Sequence, residues 1–344
     1  MENETENLLE VKNLKKYFET RENFLPNFKN IFLKREGSLE KNKRQFKAVD
    51  GVSFNIKPGE ILGLVGESGC GKSTTGKSIL RLIEPTFGSV VFRGKTIFDV
   101  ENKIYMPKDE LLSIRGDLQF IFQDPYASLN PRMKIEKIVS EGIIKHKIAE
   151  KSEVQDRCEE ILNLCGLSKG DLKKFPNEFS GGQRQRIGIA RALAVNPKFV
   201  ICDEPTAALD VSIQSQILNL MLDLKDKFQL TYLFISHNLE VVRYFCDTIC
   251  VMYLGKIVEK AKAKELYETS LHPYTKALLS CVPKNHPSEI RDKILLKGNV
   301  PSASDIPSGC RFHTRCPYCE DKCIINEPPL REATKGHYVA CHKI

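Results

Sequence analysis

The sequence predicts an α/β fold in which helices cover a buried parallel sheet. Short, nearly continuous apolar runs are the first observation: one ends at Leu64 and Val65, and two more span Phe199–Cys202 and Tyr232–Ile235. Strands that are buried on both faces of a parallel sheet have this composition. Helical periodicity is the second observation, and it covers Lys134–Leu172 and Gln183–Val195. Because strands and helices alternate along the chain, we predict an α/β core.

The elements on either side of this core divide the chain. A short strand is predicted over Leu8–Val11, and the polar stretch from residue 19 to 45 is predicted to be an insertion. Two strands follow in "AVDGVSFNIKPGEILGLVG", with Pro58 and Gly59 as the turn between them. From about His286 onward proline, lysine and cysteine become frequent. We therefore predict a first domain over residues 1–285 and a small second domain over residues 286–344.

Composition places the protein among ordinary globular chains. Hydrophobic residues make up 41% and charged residues 28% of the 344 positions, and no apolar run is long enough to span a bilayer. The acidic N-terminus lacks the apolar segment of a signal peptide, so we expect a cytoplasmic protein with reduced thiols. Twelve cysteines then favour metal ligation for a cluster and packing for scattered residues, rather than disulfides. The scattered cysteines expected to pack as small apolar side chains are Cys158, Cys165, Cys202, Cys246, Cys250 and Cys281.

The formal net charge of +8 allows two interpretations. One is a solvated, lysine-rich surface. The other is an acidic partner, such as a nucleic acid or an anionic membrane surface. The chain has no basic motif interleaved with aromatic residues of the kind that binds RNA, so no nucleic-acid partner is expected.

A phosphate-binding loop is predicted at "GESGCGKST", which fits the pattern G-x-x-x-x-G-K-[ST]. It lies between a predicted strand and a predicted helix, the context that this motif requires. Backbone N–H groups and the helix N-terminus favour a bound phosphate here. Lys72 is predicted to reach the β- and γ-phosphates, and the Ser73 hydroxyl to bind Mg²⁺. The predicted ATP-binding residues of the loop are Gly66, Glu67, Ser68, Gly69, Cys70, Gly71, Lys72, Ser73 and Thr74.

Three polar side chains follow apolar strands and complete the predicted site. In "FVICDEP", Asp203 is placed to bind Mg²⁺ directly or through water, and Glu204 to polarise the attacking water. His237 ends "TYLFISH" and is a candidate contact to the γ-phosphate. The alternative is that the two acids cap a strand end and that His237 is structural. The phosphate-binding loop upstream favours the catalytic interpretation.

A further motif, "EFSGGQRQR" (Glu178–Arg186), resembles the signature sequence of the ATP-binding-cassette (ABC) family. The resemblance implies a P-loop ABC ATPase core with an antiparallel β subdomain and a helical signature subdomain over about residues 125–185. It also implies that two cassettes pair head to tail, so that each signature faces the partner's ATP. The signature residues implied by the match are Ser180, Gly181, Gly182 and Gln183.

The other marks of that family occur in order. Gln123 in "IFQDP" matches the family's glutamine that binds Mg²⁺ and takes part in catalysis. Asp210 in "AALD" matches the aspartate of the D-loop. His237 matches the switch histidine. For the aromatic ring that stacks on adenine, Phe18 aligns best and Tyr17 is the alternative.

Longer segments resemble one subfamily of the ABC family in particular. "FQDPYASLNPRM" and "HPYTKALLSCVP" are similar to the subfamily that powers oligopeptide and dipeptide importers, in particular its F-type ATPase subunit. This implies a peripheral protein at the cytoplasmic face of the membrane, paired with a second ATPase beneath two permeases. An extracytoplasmic binding protein would deliver the solute. The alternatives are a nickel or other small-solute importer of the same subfamily, an export-type cassette, a regulatory subunit that binds ATP without cleaving it, and a cassette ATPase acting on nucleic acid or ribosomes.

The cysteine-rich tail is the last feature. The same resemblance implies a C-terminal extension with a structural [4Fe–4S] cluster on Cys310, Cys316, Cys323 and Cys341, hereafter the cysteine tetrad. Four thiolates are the right number and type of ligands for such a cluster. Cys319 forms a C-x₂-C pair with Cys316, so zinc on Cys316, Cys319, Cys323 and Cys341 is the main alternative. The absence of any metal is the third.

Overall fold

The computed structural model of the protein describes residues 7–19, 45–282, 294–296 and 298–344. Most of the insertion predicted over residues 19–45, and the domain boundary predicted between residues 285 and 286, lie outside the described residues. None of the described helices is long and apolar enough to cross a lipid bilayer.

The described residues form strands that make up two sheets, together with helices that pack on both. The strands are β1 (Leu9–Glu19), β2 (Gln45–Ile56), β3 (Ile61–Val65), β4 (Phe87–Phe92), β5 (Lys95–Asp99), β6 (Ile104–Tyr105), β7 (Leu118–Ile121), β8 (Phe199–Asp203), β9 (Thr231–Ser236), β10 (Thr248–Tyr253), β11 (Lys256–Lys262), β12 (Arg331–Thr334) and β13 (His337–Val339). The helices are α1 (Lys72–Ile79), α2 (Lys108–Ile114), α3 (Pro125–Ser128), α4 (Ile135–Lys145), α5 (Val154–Leu164), α6 (Gly181–Leu193), α7 (Val211–Phe228), α8 (Leu239–Phe245), α9 (Ala263–Thr269), α10 (Pro273–Ser280) and α11 (Asp321–Ile325).

The central sheet has the order β12-β13-β11-β10-β3-β9-β8-β7, and its strands β10, β3, β9, β8 and β7 are parallel. Its core strands are buried on both faces. In β9, for example, Tyr232 and Phe234 pack into one apolar cluster, whereas Leu233 and Ile235 pack into the other. This double burial explains the continuous apolar runs and confirms the predicted α/β class.

The second sheet is antiparallel, with the order β2-β1-β4-β5-β6. Its strand β1 continues to Glu19, well beyond the four residues predicted, because it pairs with both β2 and β4. Leu9 and Val11 of β1 pack in one apolar cluster with Ile79 of α1 and Leu64 of β3. This sheet therefore packs against one face of the central sheet and against α1.

Helices α3 to α6 form a group between β7 and β8. The region from about Lys134 to Leu172, in which helical patterns are predicted, contains two α-helices: α4 ends at Lys145 and α5 begins at Val154. Lys147, with a φ of 53°, has the left-handed backbone that terminates a helix. The buried faces of α4, α5 and α6 then pack together in one cluster, with α6 carrying the signature residues at its N-terminus.

The C-terminal residues add to the central sheet. Strand β13 pairs with β11 in antiparallel register, Glu259 facing Val339 and Lys260 facing Tyr338. Phe312 is buried, and its ring lies 5.4 Å from that of Tyr253. The extension thus shares both hydrogen bonds and core packing with the preceding chain.

Candidate nucleotide site

The phosphate-binding loop connects β3 to α1. Gly71 has a φ of 108°, and a Cβ atom on it would lie 2.1 Å from the carbonyl oxygen of Ala48. A Cβ atom on Gly66 would lie 2.2 Å from the carbonyl oxygen of Met252. Only glycine fits at either position, because the loop packs closely against the backbones of β2 and β10. The first turn of α1 contains no acidic residue that would oppose a bound anion.

Lys72 lies inside this loop. Its ammonium group donates to the carbonyl oxygens of Gly66 at 2.8 Å and Glu67 at 3.1 Å. It is also 4.0 Å from Oε1 of Glu204, and its side chain is only 4% exposed. Because the ammonium group points into the loop, it is placed to exchange these carbonyl acceptors for phosphate oxygens.

The two residues predicted to bind Mg²⁺ most directly are in contact. The Ser73 hydroxyl donates to Oδ1 of Asp203 at 2.7 Å, which joins the start of α1 to the end of β8. Burial raises the pKa of the Asp203 carboxyl group. A divalent cation at this position would favour the ionised form and offset the cost of burial. A hydroxyl and a carboxylate are oxygen ligands of the type that Mg²⁺ prefers.

Glu204 is the point at which the predicted catalytic residues meet. Oε2 of its carboxylate accepts a hydrogen bond from Nε2 of Gln123 at 2.9 Å, and it lies 3.0 Å from Nδ1 of His237. Its backbone has a φ of 46°, a left-handed conformation that is uncommon for a side-chain-bearing residue. Its N–H group donates to the carbonyl oxygen of Ile235 on β9. The sheet therefore places Gln123, Glu204 and His237 together at the carboxyl ends of neighbouring strands.

The signature residues form a capped helix start. Ser180 is the N-cap of α6: its hydroxyl accepts from the N–H of Gln183 at 3.4 Å, and the Gln183 side chain accepts from the N–H of Ser180 at 3.0 Å. A Cβ atom on Gly182 would lie 2.6 Å from the Ile213 side chain of α7. The signature turn therefore packs closely against the helix that follows Asp210.

The structure separates the two aromatic candidates for the adenine contact. The hydroxyl group of Tyr17 donates to Asp50, and its ring is held against β2 by this bond. The Phe18 ring is 37% exposed, with the ammonium group of Lys16 at 4.8 Å from its centre. Phe18 thus has the more available ring, although its role remains a prediction.

Sequence reasoning missed the contacts that reach the loop from the C-terminal part of the chain. Both guanidinium Nη atoms of Arg315 donate to the Glu67 carboxylate, at 2.8 and 3.2 Å. The Tyr274 hydroxyl accepts the N–H of Glu67 at 2.9 Å. Arg315 and Glu67 are 248 positions apart, so no local motif contains the pair.

All twelve cysteines are free thiols in the structure. Of the scattered set, Cys158, Cys165, Cys202, Cys246 and Cys250 are buried, whereas Cys281 is exposed. The packing prediction was wrong for Cys281, because it lies at the C-terminal end of α10 rather than on a buried face of the helix.

The cysteine tetrad fits a metal group in the type and number of its donors. Burial, and after it the proximity of the other three thiols, raises the pKa of the Cys310 thiol to about 11. However, among the described residues no group of three or more His, Cys, Asp or Glu side chains is arranged to hold a metal ion. The thiols are thus near one another without being gathered around a single-ion position.

Fold and site together define a P-loop nucleotide hydrolase. An ABC transporter family model matches residues 49–207, and a model for the oligopeptide/dipeptide transporter C-terminal region matches residues 258–323. The oligopeptide transport ATP-binding protein AppF of Bacillus subtilis is 48% identical over 98% of this chain and 97% of its own length. The OppF protein of the same organism is 47% identical over the same shares. The chain therefore belongs to the ABC transporter family and is an ABC-type ATPase.

Solved structures agree with this assignment. The ATP-binding cassette MJ0796, determined as a dimer in a post-hydrolysis state with ADP and Pi, is 29% identical and has a TM-score of 0.61. The similarity covers 74% of this chain and 98% of that one. CbiO1 of Clostridium perfringens, part of the transporter complex cbiONQ, is 25% identical with the same TM-score, over 77% of this chain and 92% of its own.

Proposed function

We propose that this protein is the ATP-hydrolysing subunit of an importer that takes up oligopeptides or dipeptides. The assignment of peptides as the cargo rests on the match to the oligopeptide/dipeptide transporter C-terminal region. Relatives that align with nearly the whole chain bear names of oligopeptide transport proteins, which supports the same choice. In this proposal the protein is bound peripherally at the cytoplasmic face of the membrane. It pairs with a second ATPase subunit, and the pair drives two permeases that receive solute from an extracytoplasmic binding protein.

The contacts around Glu204 support the proposed hydrolytic role. In this mechanism Lys72 binds the β- and γ-phosphates, while Ser73, Asp203 and Gln123 hold Mg²⁺. Glu204 orients the water for in-line attack, and His237 contacts the γ-phosphate. His237 and Gln123 each contact the Glu204 carboxylate. These two contacts position the carboxylate. The capped turn at Ser180 would bind the ATP held by the partner subunit. Asp210 is the N-cap of α7, whose Ile213 side chain lies against Gly182 of this turn.

Cargo identity is tested by reconstitution. The protein, its partner ATPase and two permeases are placed in proteoliposomes with the binding protein. We expect ATP-dependent uptake of radiolabelled tri- to pentapeptides and no uptake of ⁶³Ni²⁺. Proteoliposomes lacking ATP are the control. Uptake of nickel without uptake of peptide would assign the protein to the small-solute importers of the same subfamily.

For the extension we propose that the cysteine tetrad holds a [4Fe–4S] cluster. The four thiols are free, and Cys316, Cys323 and Cys341 lie near enough to Cys310 to add to the effect of burial in raising its pKa, which supports this proposal. A cubane cluster takes four thiolate ligands, the number that the tetrad offers. When bound, the cluster cross-links a region that has little apolar core of its own. It takes no part in ATP hydrolysis.

Two cysteine substitutions distinguish the cluster from zinc. We expect the anaerobically purified protein to be brown and to contain about four iron atoms and four sulfides per chain. Cys323→Ser should abolish colour and iron, because it removes a ligand of either metal group. Cys319→Ser should leave both unchanged, because Cys319 is exposed and belongs only to the zinc set. A colourless protein with about one zinc ion, lost in Cys319→Ser, would reverse the assignment.

A further inference from the structure

Glu67 of the phosphate-binding loop is held at three atoms by residues from far along the chain. Its backbone N–H group donates to the hydroxyl of Tyr274 on α10, and its carboxylate accepts two hydrogen bonds from Arg315. Tyr274 is fully buried. The conformation of this end of the loop therefore depends on the chain that follows the ATPase motifs.

The carboxylate of Glu67 requires a partner because of its position. It lies in the loop predicted to receive the triphosphate group of ATP, and a free negative charge there would repel the ligand. The Arg315 guanidinium makes a bidentate contact with it, the strongest geometry for such a pair. The Arg315 side chain is 8% exposed and that of Glu67 is 27% exposed, so water screens the pair only in part.

Arg315 is itself well anchored. It ends a short 3₁₀ helix, His313–Arg315, and its guanidinium group lies 6.0 Å from the centre of the Tyr253 ring. One turn earlier, Arg311 donates to Asp50 of β2 and to the carbonyl oxygen of Leu254. Both arginines lie between the first two cysteines of the tetrad, so this segment contacts the loop and the neighbouring β subdomain together.

We propose that Arg315 is a positioning residue for ATP binding, which fixes Glu67 and neutralises its charge so that the loop is preorganised for the triphosphate. Loss of Arg315 would leave the loop less ordered and one negative charge uncompensated beside the phosphates. Both effects weaken ATP binding rather than the chemical step. The inference concerns nucleotide affinity and does not depend on what the transporter carries.

This role differs from a purely structural one in its dependence on Glu67. If Arg315 only attached the extension to the core, the defect of Arg315→Gln would persist whatever residue stood at position 67. If Arg315 acts through the charge of Glu67, removing that charge as well should relieve the defect. The double variant Glu67→Gln, Arg315→Gln therefore separates the two roles.

The experiment measures equilibrium binding of a fluorescent ATP analogue to the purified subunit, together with KM and kcat of the assembled transporter. For Arg315→Gln we expect Kd and KM to rise about tenfold, equivalent to about 1.4 kcal/mol, with kcat at saturating ATP changed by less than about twofold. In the double variant, Kd and KM should lie within about threefold of their values in the unaltered protein. Arg331→Gln, which removes an exposed arginine of the same extension, should leave Kd and KM unchanged.

Two results would overturn the proposal: unchanged affinity in Arg315→Gln, or weakened affinity that Glu67→Gln does not restore. If Arg315→Gln does not fold, Arg315→Lys tests the same proposal, because it keeps the positive charge but loses the bidentate geometry. We then expect a smaller rise in Kd, about two- to fourfold, because the charge of Glu67 stays neutralised while the bidentate contact is lost. An unaltered Kd in Arg315→Lys would overturn the proposal as well.

Discussion

Replacing Glu204 by glutamine is expected to lower ATP turnover by at least about a hundredfold. The amide keeps the size of the side chain but cannot accept a proton or attract an attacking water as the carboxylate does. ATP binding should persist, because Lys72 and the loop glycines are untouched. The subunits should therefore remain paired around uncleaved ATP.

The measurement is steady-state phosphate release by the assembled transporter, with retained ATP counted after rapid gel filtration. Glu101→Gln is a matched control, because it makes the same chemical change at an exposed position in the turn between β5 and β6. We expect turnover near the unaltered rate in the control. Unreduced turnover at the site built on this chain in Glu204→Gln would remove Glu204 from the mechanism.

Replacing His337 by leucine is expected to destabilise the protein by about 3 to 5 kcal/mol. His337 is buried on β13, with Nε2 at 2.8 Å from Glu259 and Nδ1 at 3.0 Å from Glu265. Glu259 is fully buried, and it also accepts the backbone N–H groups of Leu271 and His272. Leucine would leave the Glu259 carboxylate without its side-chain partner, and a buried charge without a partner is costly.

The loss of stability is measured by urea denaturation, with unfolding monitored by circular dichroism. His342→Leu is the control, because it removes a half-buried histidine of the same extension that bonds the backbone carbonyl oxygen of Asn326 rather than a buried carboxylate. The control should change the free energy of unfolding by no more than about 1 kcal/mol. His337→Gln retains one donor, so its free energy of unfolding should lie between those of the unaltered protein and the leucine variant. Equal stability of His337→Leu and His342→Leu would show that this contact does not hold the extension in place.

The proximity of the proposed catalytic residues could be predicted from the sequence because parallel strands deliver their carboxyl ends to one edge of a sheet. Asp203 and Glu204 contact Ser73 and Lys72 at the phosphate-binding loop, and His237 contacts Glu204. Motif spacing is sufficient in this case, because β8 places the two acids and the neighbouring β9 places His237. The α/β class follows from the same runs and is confirmed.

Contacts between distant segments could not be predicted in the same way. The pairing of β13 with β11 and the contact of Arg315 with Glu67 depend on how the extension packs, and short polar segments have many alternative partners. The position of the break between α4 and α5 could not be predicted either, because apolar periodicity continues across it. The break lies near Lys147, which adopts a left-handed backbone. Periodicity reports which face of a helix is buried, but not where the helix ends.

The attachment of β13 to β11 has a consequence for truncated forms of the protein. A chain that stopped before β12 would leave the backbone groups of Glu259 and Lys260 without their β13 partners, on a strand that is otherwise mostly buried. Such an open strand edge can pair with the same edge of another molecule. Proteolytic loss of the last residues should therefore produce insoluble aggregates instead of a smaller, active ATPase.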